Sequence, residues 1–321
     1  MTVKGRILQA LERAEGQTVS GQALADALGV SRAAVWKGIQ ALRQEGYAIE
    51  AATNRGYRLA QDGVRLSAEG IRAHRSGEFA DAPVFVHDRL DSTNTEAKRL
   101  ALSGALHGTL VLADEQTAGR GRRGHAFYSP ARTGLYMSVL LRVEAVPEEA
   151  YRFTLAAAVA ACDGIEAELG FRPQIKWVND VMWEGRKVAG VLTEAVTDFE
   201  SGLTELVIIG IGVNLNPPEA GFPEEISGIA GALTSSPVNR NRLAARLADA
   251  LFAALSLPPD RLLTRYRADC FVPGRDVCFQ RNGREYRGRA LAVRDDGGLQ
   301  VLLEDGTELT LYSGEVSVQL D

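Results

Sequence analysis

The spacing of apolar residues changes twice along this chain, and the change limits the possible folds more than any single motif does. Residues 1–63 show helical spacing and then short alternation, residues 64–273 mix helical and strand patterns, and residues 274–321 show short strands only. A length of 321 residues suggests two domains, at about 150 residues per domain. The patterns instead predict three domains, 1–63, 64–273 and 274–321, because both flanking segments are small.

The first segment predicts a winged helix-turn-helix. Gly29 has the position of a C-cap after one short helix, and Ser31 has that of an N-cap for a second helix that ends near Glu45. Apolar residues then alternate over 47–50 and 56–59, which is the pattern of a two-stranded wing. A tight turn between two short helices is typical of DNA-binding domains.

The charge distribution favours DNA contact by this segment alone. The whole chain has a net charge of −5, which excludes a generally basic nucleic-acid binder. Residues 1–63, however, hold eight basic and six acidic residues, and no acidic residue lies between Ser31 and Gln44. We therefore predict contact with DNA through Ser31, Arg32, Lys37 and Arg55.

The alternative for this segment is a small helical domain that binds protein or packs against the rest of the chain. The predicted recognition helix carries Arg32, Lys37 and Arg43, which suits a groove lined by phosphates. Gly38 lies inside the same helix, where a glycine costs about 1 kcal/mol relative to alanine. This glycine counts weakly against a DNA-reading helix.

The remaining segments differ in class. In the middle segment, two long helices near 150–169 and 241–255 accompany many strands, which favours an α+β domain with a mixed sheet over a doubly wound parallel sheet. The last segment carries three hairpin signals and predicts a small all-β barrel. The signals are Asn282-Gly283, Asp296-Gly297-Gly298 and Asp305-Gly306.

The cysteines and the apolar runs indicate a cytoplasmic protein. Cys162, Cys270 and Cys278 are far apart and form no CxxC pair, as in proteins of a reducing compartment. The N-terminal stretch is charged and amphipathic, unlike a signal peptide, and the apolar runs are too short to span a membrane. The four histidines show no metal-ligand spacing, so we expect no metal bound by protein side chains alone.

The strongest chemical signal is QTAGRGRRG at 116–124. Its letters satisfy G-x-G-x-x-G, but Pro130 and Gly134 follow it, whereas a dinucleotide fingerprint opens a helix. The loop instead places Arg120, Arg122 and Arg123 on a glycine-rich backbone. Guanidinium groups and free backbone N–H groups bind carboxylate and phosphate oxygens. We predict an anion-binding loop, with a solvated surface loop as the alternative.

Lysines are scarce, since only five of the 36 basic residues are lysine. Lys176 ends one predicted strand, and Lys187 begins the next strand after the Glu184-Gly185 turn. A compact ammonium at such a position can lie between a carboxylate and a phosphate. The alternative for each is an exposed charge at the end of a strand.

Together these motifs resemble the bifunctional biotin protein ligase/biotin operon repressor family over nearly the whole chain. The resemblance rests on DSTN (91–94), QTAGRGRRG (116–124), KWVND (176–180), GRKVAG (185–190), GIGVN (210–214) and SGEVSV (313–318). It implies a winged helix, a catalytic domain of the biotin/lipoate ligase type and a C-terminal SH3-like barrel. The implied substrates are biotin and ATP with Mg²⁺, which give biotinyl-5′-AMP. The implied partners are a lysine of a biotin carrier protein, operator DNA and a second copy of the chain in a homodimer promoted by biotinyl-AMP.

The resemblance also assigns roles to residues. Biotin would be held by Ser92, Thr93, Asn94, Gln116, Arg120, Gly121, Arg122 and Lys176. ATP and the adenylate would be contacted by Arg122, Phe127, Lys187 and Asn214. Catalysis would depend on Arg120, Arg122 and Lys176, with Lys176 bridging the biotin carboxylate and the α-phosphate. Joining two anions requires positive charge and alignment from the protein, and no nucleophilic side chain.

The sequence departs from the family at three positions. Phe127 stands where tryptophan is common, Val178 where proline is usual, and Gln319 where some members have arginine. These departures leave open a biotin-sensing transcriptional regulator without ligase activity, and a lipoate ligase is a further alternative. Asp180, beside the KWVND lysine, is a weak candidate for orienting or deprotonating the acceptor lysine.

Overall fold

The computed structural model describes residues 2–52, 55–60, 65–146, 150–197, 200, 202–314 and 316–318. Within these ranges there are nine α-helices. They are Val3–Arg13 (α1), Gly21–Leu28 (α2), Arg32–Gln44 (α3), Ala68–His74 (α4), Thr93–Leu102 (α5), Ala150–Leu169 (α6), Glu224–Ser227 (α7), Arg240–Leu255 (α8) and Pro259–Asp269 (α9).

Fourteen strands lie in the same ranges. They are Ile49–Ala52 (β1), Gly56–Leu59 (β2), Val84–Leu90 (β3), Leu110–Gln116 (β4), Gly134–Ala145 (β5), Gln174–Lys176 (β6), Asp180–Trp183 (β7), Arg186–Thr197 (β8), Thr204–Asn214 (β9), Asp276–Arg281 (β10), Arg284–Val293 (β11), Leu299–Leu303 (β12), Glu308–Leu311 (β13) and Val316–Val318 (β14). They form sheets of two, seven and five strands, one in each predicted domain.

The winged helix-turn-helix is confirmed. Gly29 ends α2 in the left-handed conformation, with φ 65° and ψ 38°. The Ser31 hydroxyl accepts a hydrogen bond from the Ala34 N–H at 3.2 Å and so caps α3. β1 and β2 pair in antiparallel register as the wing. Between these two strands, Thr53 and Asn54 lie outside the described residues, and Arg55 is exposed.

Gly38 has a packing reason that the sequence does not reveal. A Cβ atom at this position would lie 2.4 Å from Cδ1 of Ile7, because α1 and α3 cross closely there. Glycine lowers the intrinsic stability of α3, but it allows α1 and α3 to pack closely at this point. Arg43 differs from the prediction, since its Nε donates to the Ile49 carbonyl at 2.8 Å and ties α3 to the wing. The outer face of α3 exposes Arg32, Lys37 and the indole of Trp36 instead.

The central domain is α+β with a mixed sheet, as predicted. The strand order is β3-β4-β5-β9-β8-β7-β6, and β3 with β4 is the parallel pair. Buried residues of α6 and α8 pack on one face, with Leu110 and Leu112, while α5 packs on the other face, with Val111. The short elements α4, α7 and β7 were not predicted, because none of them is long enough to display its own periodicity.

The C-terminal domain is a five-stranded antiparallel sheet in the order β13-β12-β11-β10-β14. All three predicted turn sequences join neighbouring strands in it. At the first turn, Asn282 and Gly283 both have positive φ, which two-residue hairpin turns require. Gln319 lies outside the described residues. Cys162, Cys270 and Cys278 are all unpaired, and no helix of the described chain has the length and apolar character to cross a membrane.

A buried carboxylate joins the winged helix to the central domain. Glu12 of α1 is 2% exposed and accepts hydrogen bonds from the side-chain amides of Asn241 at 2.7 Å and Asn239 at 3.2 Å. The ring nitrogen Nε2 of His74 lies 3.4 Å from the same carboxylate. A buried carboxylate loses its hydrogen bonds to water, so the protein must supply replacements. The contact between the two domains at Glu12, called the Glu12 joint below, therefore depends on these partners.

We expect Glu12→Ala to lower the free energy of unfolding by about 2 to 4 kcal/mol, because the buried amides of Asn239 and Asn241 lose their acceptor. Urea titration followed by circular dichroism measures this difference. Glu50→Ala is the matched control, since Glu50 pairs with Arg58 on the exposed wing and should change the value by about 0.5 kcal/mol or less. Equal effects of the two substitutions would contradict a structural role for the Glu12 joint.

Candidate active site

A cleft of about 790 Å³, with its mouth included, opens over β5, β9 and β8 beside the N-terminal end of α5. It brings together most of the residues singled out from the sequence. Among the lining residues are Ser92, Thr93, Asn94, Gln116, Arg120, Gly121, Arg122, Phe127 and Lys187.

Two expected members, Lys176 and Asn214, are not among the described residues that line the cleft. Lys176 lies on β6, which is the edge strand of the sheet, and β7 separates it from β8. Lys187, on β8, is the lysine at the cleft, and its ammonium lies 2.6 Å from a carboxylate oxygen of Asp180. Asn214 ends β9 opposite Gly134, beyond the strand positions that form the floor. The sequence pattern did not distinguish the two lysines, because both lie at strand ends.

A continuous chain of polar groups crosses the floor of the cleft. The Ser138 hydroxyl lies 2.6 Å from Oδ1 of Asn94 and 2.8 Å from Oγ1 of Thr93. Gln116 Oε1 accepts from the Thr93 N–H at 2.9 Å, and Gln116 Nε2 donates to Ser129 Oγ at 3.0 Å. Ser138 is fully buried, and Thr93 and Asn94 are 4% and 3% exposed. These side chains therefore hold one another in fixed positions.

Glu194 of β8 is the last member of this hydrogen-bonded series, on the side of α5. Its carboxylate accepts from Asn94 Nδ2 at 2.7 Å and from Lys98 Nζ at 2.6 Å. Nη2 of Arg120 lies 3.6 Å from the same carboxylate and donates to Thr95 Oγ1 at 3.0 Å. Burial opposes ionisation of Glu194, but the hydrogen bonds from Lys98 and Asn94 outweigh it, so its pKa lies below the usual value.

The arginine-rich loop folds back on itself over the mouth of the cleft. The Gly121 N–H donates to the His125 carbonyl at 2.7 Å, and the Phe127 N–H donates to the Gly119 carbonyl at 2.9 Å. A single 3-10 turn covers Arg122–Gly124, so no α-helix follows the glycines, as predicted. Arg122 reaches across to donate to Asn179 Oδ1 at 3.2 Å, which connects the loop to the β6–β7 segment.

Phe127 lies against the glycines of two neighbouring strands. A Cβ atom on Gly212 would lie 2.6 Å from this ring, and one on Gly190 would lie 3.5 Å from it. The ring also meets Tyr136 edge to face, with centroids 6.4 Å apart. Tyr136 donates to the Pro130 carbonyl at 2.9 Å, and burial raises its pKa to about 12, so this phenol stays protonated at neutral pH.

The segment with the Val178 departure is buried rather than exposed. Val178 is 7% exposed, and its carbonyl accepts a hydrogen bond from the Tyr266 hydroxyl at 3.0 Å. The peptide bond between Trp177 and Val178 is cis. The Trp177 indole N–H donates to the carbonyl of Gly297 at 3.0 Å, so this segment also contacts the C-terminal domain.

Several contributors were missed by the sequence reasoning. Ser138 is a single polar residue within an apolar run, and Glu194 is a single charged residue within a strand-like stretch. These isolated positions are the signal that the sequence offers for them. Asn179 belongs to the KWVND motif, and the sequence assigns no role to it. Gly314 lines the mouth of the cleft from the C-terminal domain, which the hairpin pattern did not indicate.

The electrostatics of the cleft suit two anions held side by side. Arg120, Arg122, Arg123 and Lys187 supply positive charge, and Asp180 is the lining residue that carries negative charge. Among the described residues, no group of three histidine, cysteine, aspartate or glutamate side chains is arranged to hold a metal ion. The four cations on its lining allow the cleft to bind and neutralise anions.

Family models match three parts of the chain. Residues 86–214 match the Biotin/lipoate A/B protein ligase family, residues 4–58 match an HTH domain, and residues 274–319 match the Biotin protein ligase C terminal domain.

Curated relatives and solved structures agree with these matches. The bifunctional ligase/repressor BirA of Bacillus subtilis is 34% identical over 326 residues and covers 99% of both chains. The BirA of Escherichia coli is 31% identical over 95% of this chain and 94% of its own length. A biotin protein ligase from Aquifex aeolicus, solved with biotin and ATP, matches with a TM-score of 0.61 and 26% identity over 74% of this chain and 99% of its own.

Proposed function

The chain belongs to the family of bifunctional biotin protein ligases and repressors, and we propose that it activates biotin with ATP, biotinylates a carrier protein and represses transcription. The observation that carries the ligase activity is the cleft itself. A fixed polar floor lies beside the cations of the arginine-rich loop and Lys187. This arrangement suits a ligand that is a neutral polar ring at one end and an anion at the other.

The floor is the proposed site for the ureido ring of biotin. Ser92, Thr93, Asn94 and Gln116 are fixed by mutual hydrogen bonds or by burial, so they present donors and acceptors without rearrangement. The backbone of Gly121 and the guanidinium groups of Arg120 and Arg122 lie at the mouth, where the loop can close over the bound ligand.

In the activation step, a carboxylate oxygen of biotin attacks the α-phosphorus of ATP, and pyrophosphate leaves. We place Lys187 and Arg122 closest to this chemistry, because both line the cleft and their partners, Asp180 and Asn179, are adjacent in the chain. Mg²⁺ enters as part of the MgATP substrate, since this ion is usually held by phosphates, waters and one or two carboxylates. The ring of Phe127 offers the adenine a flat apolar surface.

In the transfer step, the amine of the carrier lysine attacks the carbonyl carbon of the mixed anhydride, and AMP leaves. The amine must lose a proton, and Asp180 is the carboxylate that lines the cleft. Its ion pair with Lys187 gives Asp180 a second possible role, which is to hold that ammonium in place. The two roles predict different kinetics.

Lys187→Ala should lower the rate of biotin-dependent ATP–pyrophosphate exchange about a hundredfold or more, because a charge-assisted contact to the transition state is lost. Lys176→Ala, the matched change on the edge strand, should lower it about tenfold or less. The reverse order would return the bridging role to Lys176. Biotin binding by the wild type without any exchange would instead identify a sensor that lacks ligase activity.

The Asp180→Asn variant separates the two roles of this carboxylate. If Asp180 positions Lys187, exchange and transfer fall together. If Asp180 accepts the proton of the acceptor lysine, single-turnover transfer from preformed biotinyl-AMP falls and exchange does not.

Arg122→Gly should speed the release of biotinyl-AMP about tenfold or more, because the loop loses both its tie to Asn179 and one contact to the phosphate. Release is measured by filter capture of labelled adenylate. Arg132→Gly serves as a control on the exposed surface outside this cleft. Adenylate retention equal to that of wild type would contradict a clamping role for Arg122.

For repression, we propose that α3 enters the major groove and that the wing contacts the flanking backbone. Arg32 and Lys37 project from the exposed face of α3, and Arg55 is exposed on the wing. Ser31 caps α3 at the same end as Arg32. A homodimer promoted by biotinyl-AMP would place two such helices on a two-fold operator, as winged dimers require.

Lys37→Ala should weaken operator binding and lower the slope of log affinity against log salt by about 1, because one phosphate contact is removed. Gel shifts over a salt series with biotinyl-AMP present measure both quantities. Arg261→Ala removes the same charge from the exposed side of α9 and should leave both unchanged. Sedimentation with and without biotinyl-AMP tests the dimer, and a monomer under both conditions would exclude it.

A further inference from the structure

We propose that Glu194 is a positioning residue that fixes the direction of the hydrogen bonds across the cleft floor and thereby prepares the biotin subsite. The proposal rests on the function assigned above. Glu194 does not line the cleft. It acts through Asn94 and Arg120, which do.

The chemistry of the carboxylate sets the direction. An ionised carboxylate can only accept hydrogen bonds, so Asn94 must turn its NH₂ group toward Glu194, at 2.7 Å. The amide oxygen of Asn94 then faces Ser138, at 2.6 Å, and the Ser138 hydroxyl must donate to it. A side-chain amide has no other way to satisfy both neighbours.

The same logic extends to Thr93. Ser138 has one proton, which Asn94 takes, so the 2.8 Å contact with Thr93 is made by the Thr93 hydroxyl proton. The Thr93 oxygen also lies 3.1 Å from Gln116 Oε1. With its one proton directed to Ser138 it cannot donate to Gln116, and it keeps its lone pairs as an acceptor. Gln116 Oε1, held by the Thr93 N–H, is a second acceptor beside it. Two acceptors side by side match the N–H groups of a cyclic urea, the head group of biotin.

Glu194 also connects this floor to the loop. Arg120 lies 3.6 Å from its carboxylate and is held in addition by Thr95. Lys98, from α5, binds the second carboxylate oxygen at 2.6 Å and keeps it ionised. One negative charge thus orders the floor and holds one arginine of the loop beside the floor.

Glu194→Gln tests the donor-to-acceptor direction of these hydrogen bonds, because glutamine has the same shape as glutamate but can donate as well as accept. Asn94 is then free to reverse, and with it Ser138 and Thr93. We expect the KM for biotin in pyrophosphate exchange to rise about tenfold or more, while kcat at saturating biotin and the KM for ATP stay within about threefold of wild type. Glu96→Gln is the matched control, since Glu96 is a carboxylate on α5 that pairs with Arg99 outside the chain of groups, and its KM for biotin should not change.

Two further variants separate positioning from general stability. Ser138→Ala breaks the chain at its centre, so its effect on the KM for biotin should not add to that of Glu194→Gln. In Asn94→Asp with Glu194→Gln, the new carboxylate accepts from Ser138 and from the glutamine amide, which restores the direction. This double variant should bring the KM for biotin back to within about threefold of wild type.

The outcomes distinguish this inference from the function on which it rests. Wild-type protein without biotin-dependent exchange would overturn the proposed function and this inference with it. Normal exchange by wild type, together with a KM for biotin in Glu194→Gln within about twofold of wild type, would overturn the role of Glu194 alone. Additive effects of Glu194→Gln and Ser138→Ala, or a double variant at 94 and 194 that recovers nothing, would also overturn it.

Discussion

The register of three antiparallel strands, β5, β9 and β8, is the constraint on which the site depends. It aligns Tyr136 with Gly212 and Gly190, and Ser138 with Gly210 and Leu192. The next row on the same face brings in Leu140, Ile208 and Glu194. A slip of one residue would turn all three rows to the opposite face, where α6 and α8 pack. The apolar pattern of these strands therefore selects the core and the cleft floor together.

Within this frame, charge is arranged so that the cleft tolerates its own cations. Lys187 lies against Asp180, and Arg120 lies near Glu194, so each of these two cations has a carboxylate partner. A bound anion then adds to existing pairs instead of neutralising bare charges, and less of its binding free energy is spent on holding the side chains in place. Gly212 under Phe127 has the complementary role, since it lets the ring approach the sheet where a Cβ atom would lie only 2.6 Å from it.

The sequence predicted the three domain types, the mixed sheet and most of the residues that line the cleft. It did not predict how strand order and register place these residues relative to one another. Ser31, Gly29 and the hairpin turns are local signals, so they could be read from neighbouring residues alone. The difference between Lys176 and Lys187 depends on strand order, which is a non-local property, and both lysines have the same local context. Ser138 and Glu194 also depend on register, because their partners lie on α5 and in the loop, more than forty residues away for Ser138 and about a hundred for Glu194 with Asn94.

The start of α8 connects the winged helix to the strands of the cleft. Asn239 and Asn241 bind Glu12 of α1, and Arg240 between them binds Asp114 of β4 and lies 3.4 Å from the carbonyl of Gly134, where β5 begins. Three successive residues thus contact both domains. Contact with both domains does not by itself couple the cleft to DNA binding. A ligand shifts a conformational equilibrium only if it binds the two states with different affinities. A ligand in the cleft can therefore affect DNA binding through α8 only if it changes the relative free energies of two arrangements of this joint, and the buried carboxylate of Glu12 makes any arrangement that breaks its hydrogen bonds costly.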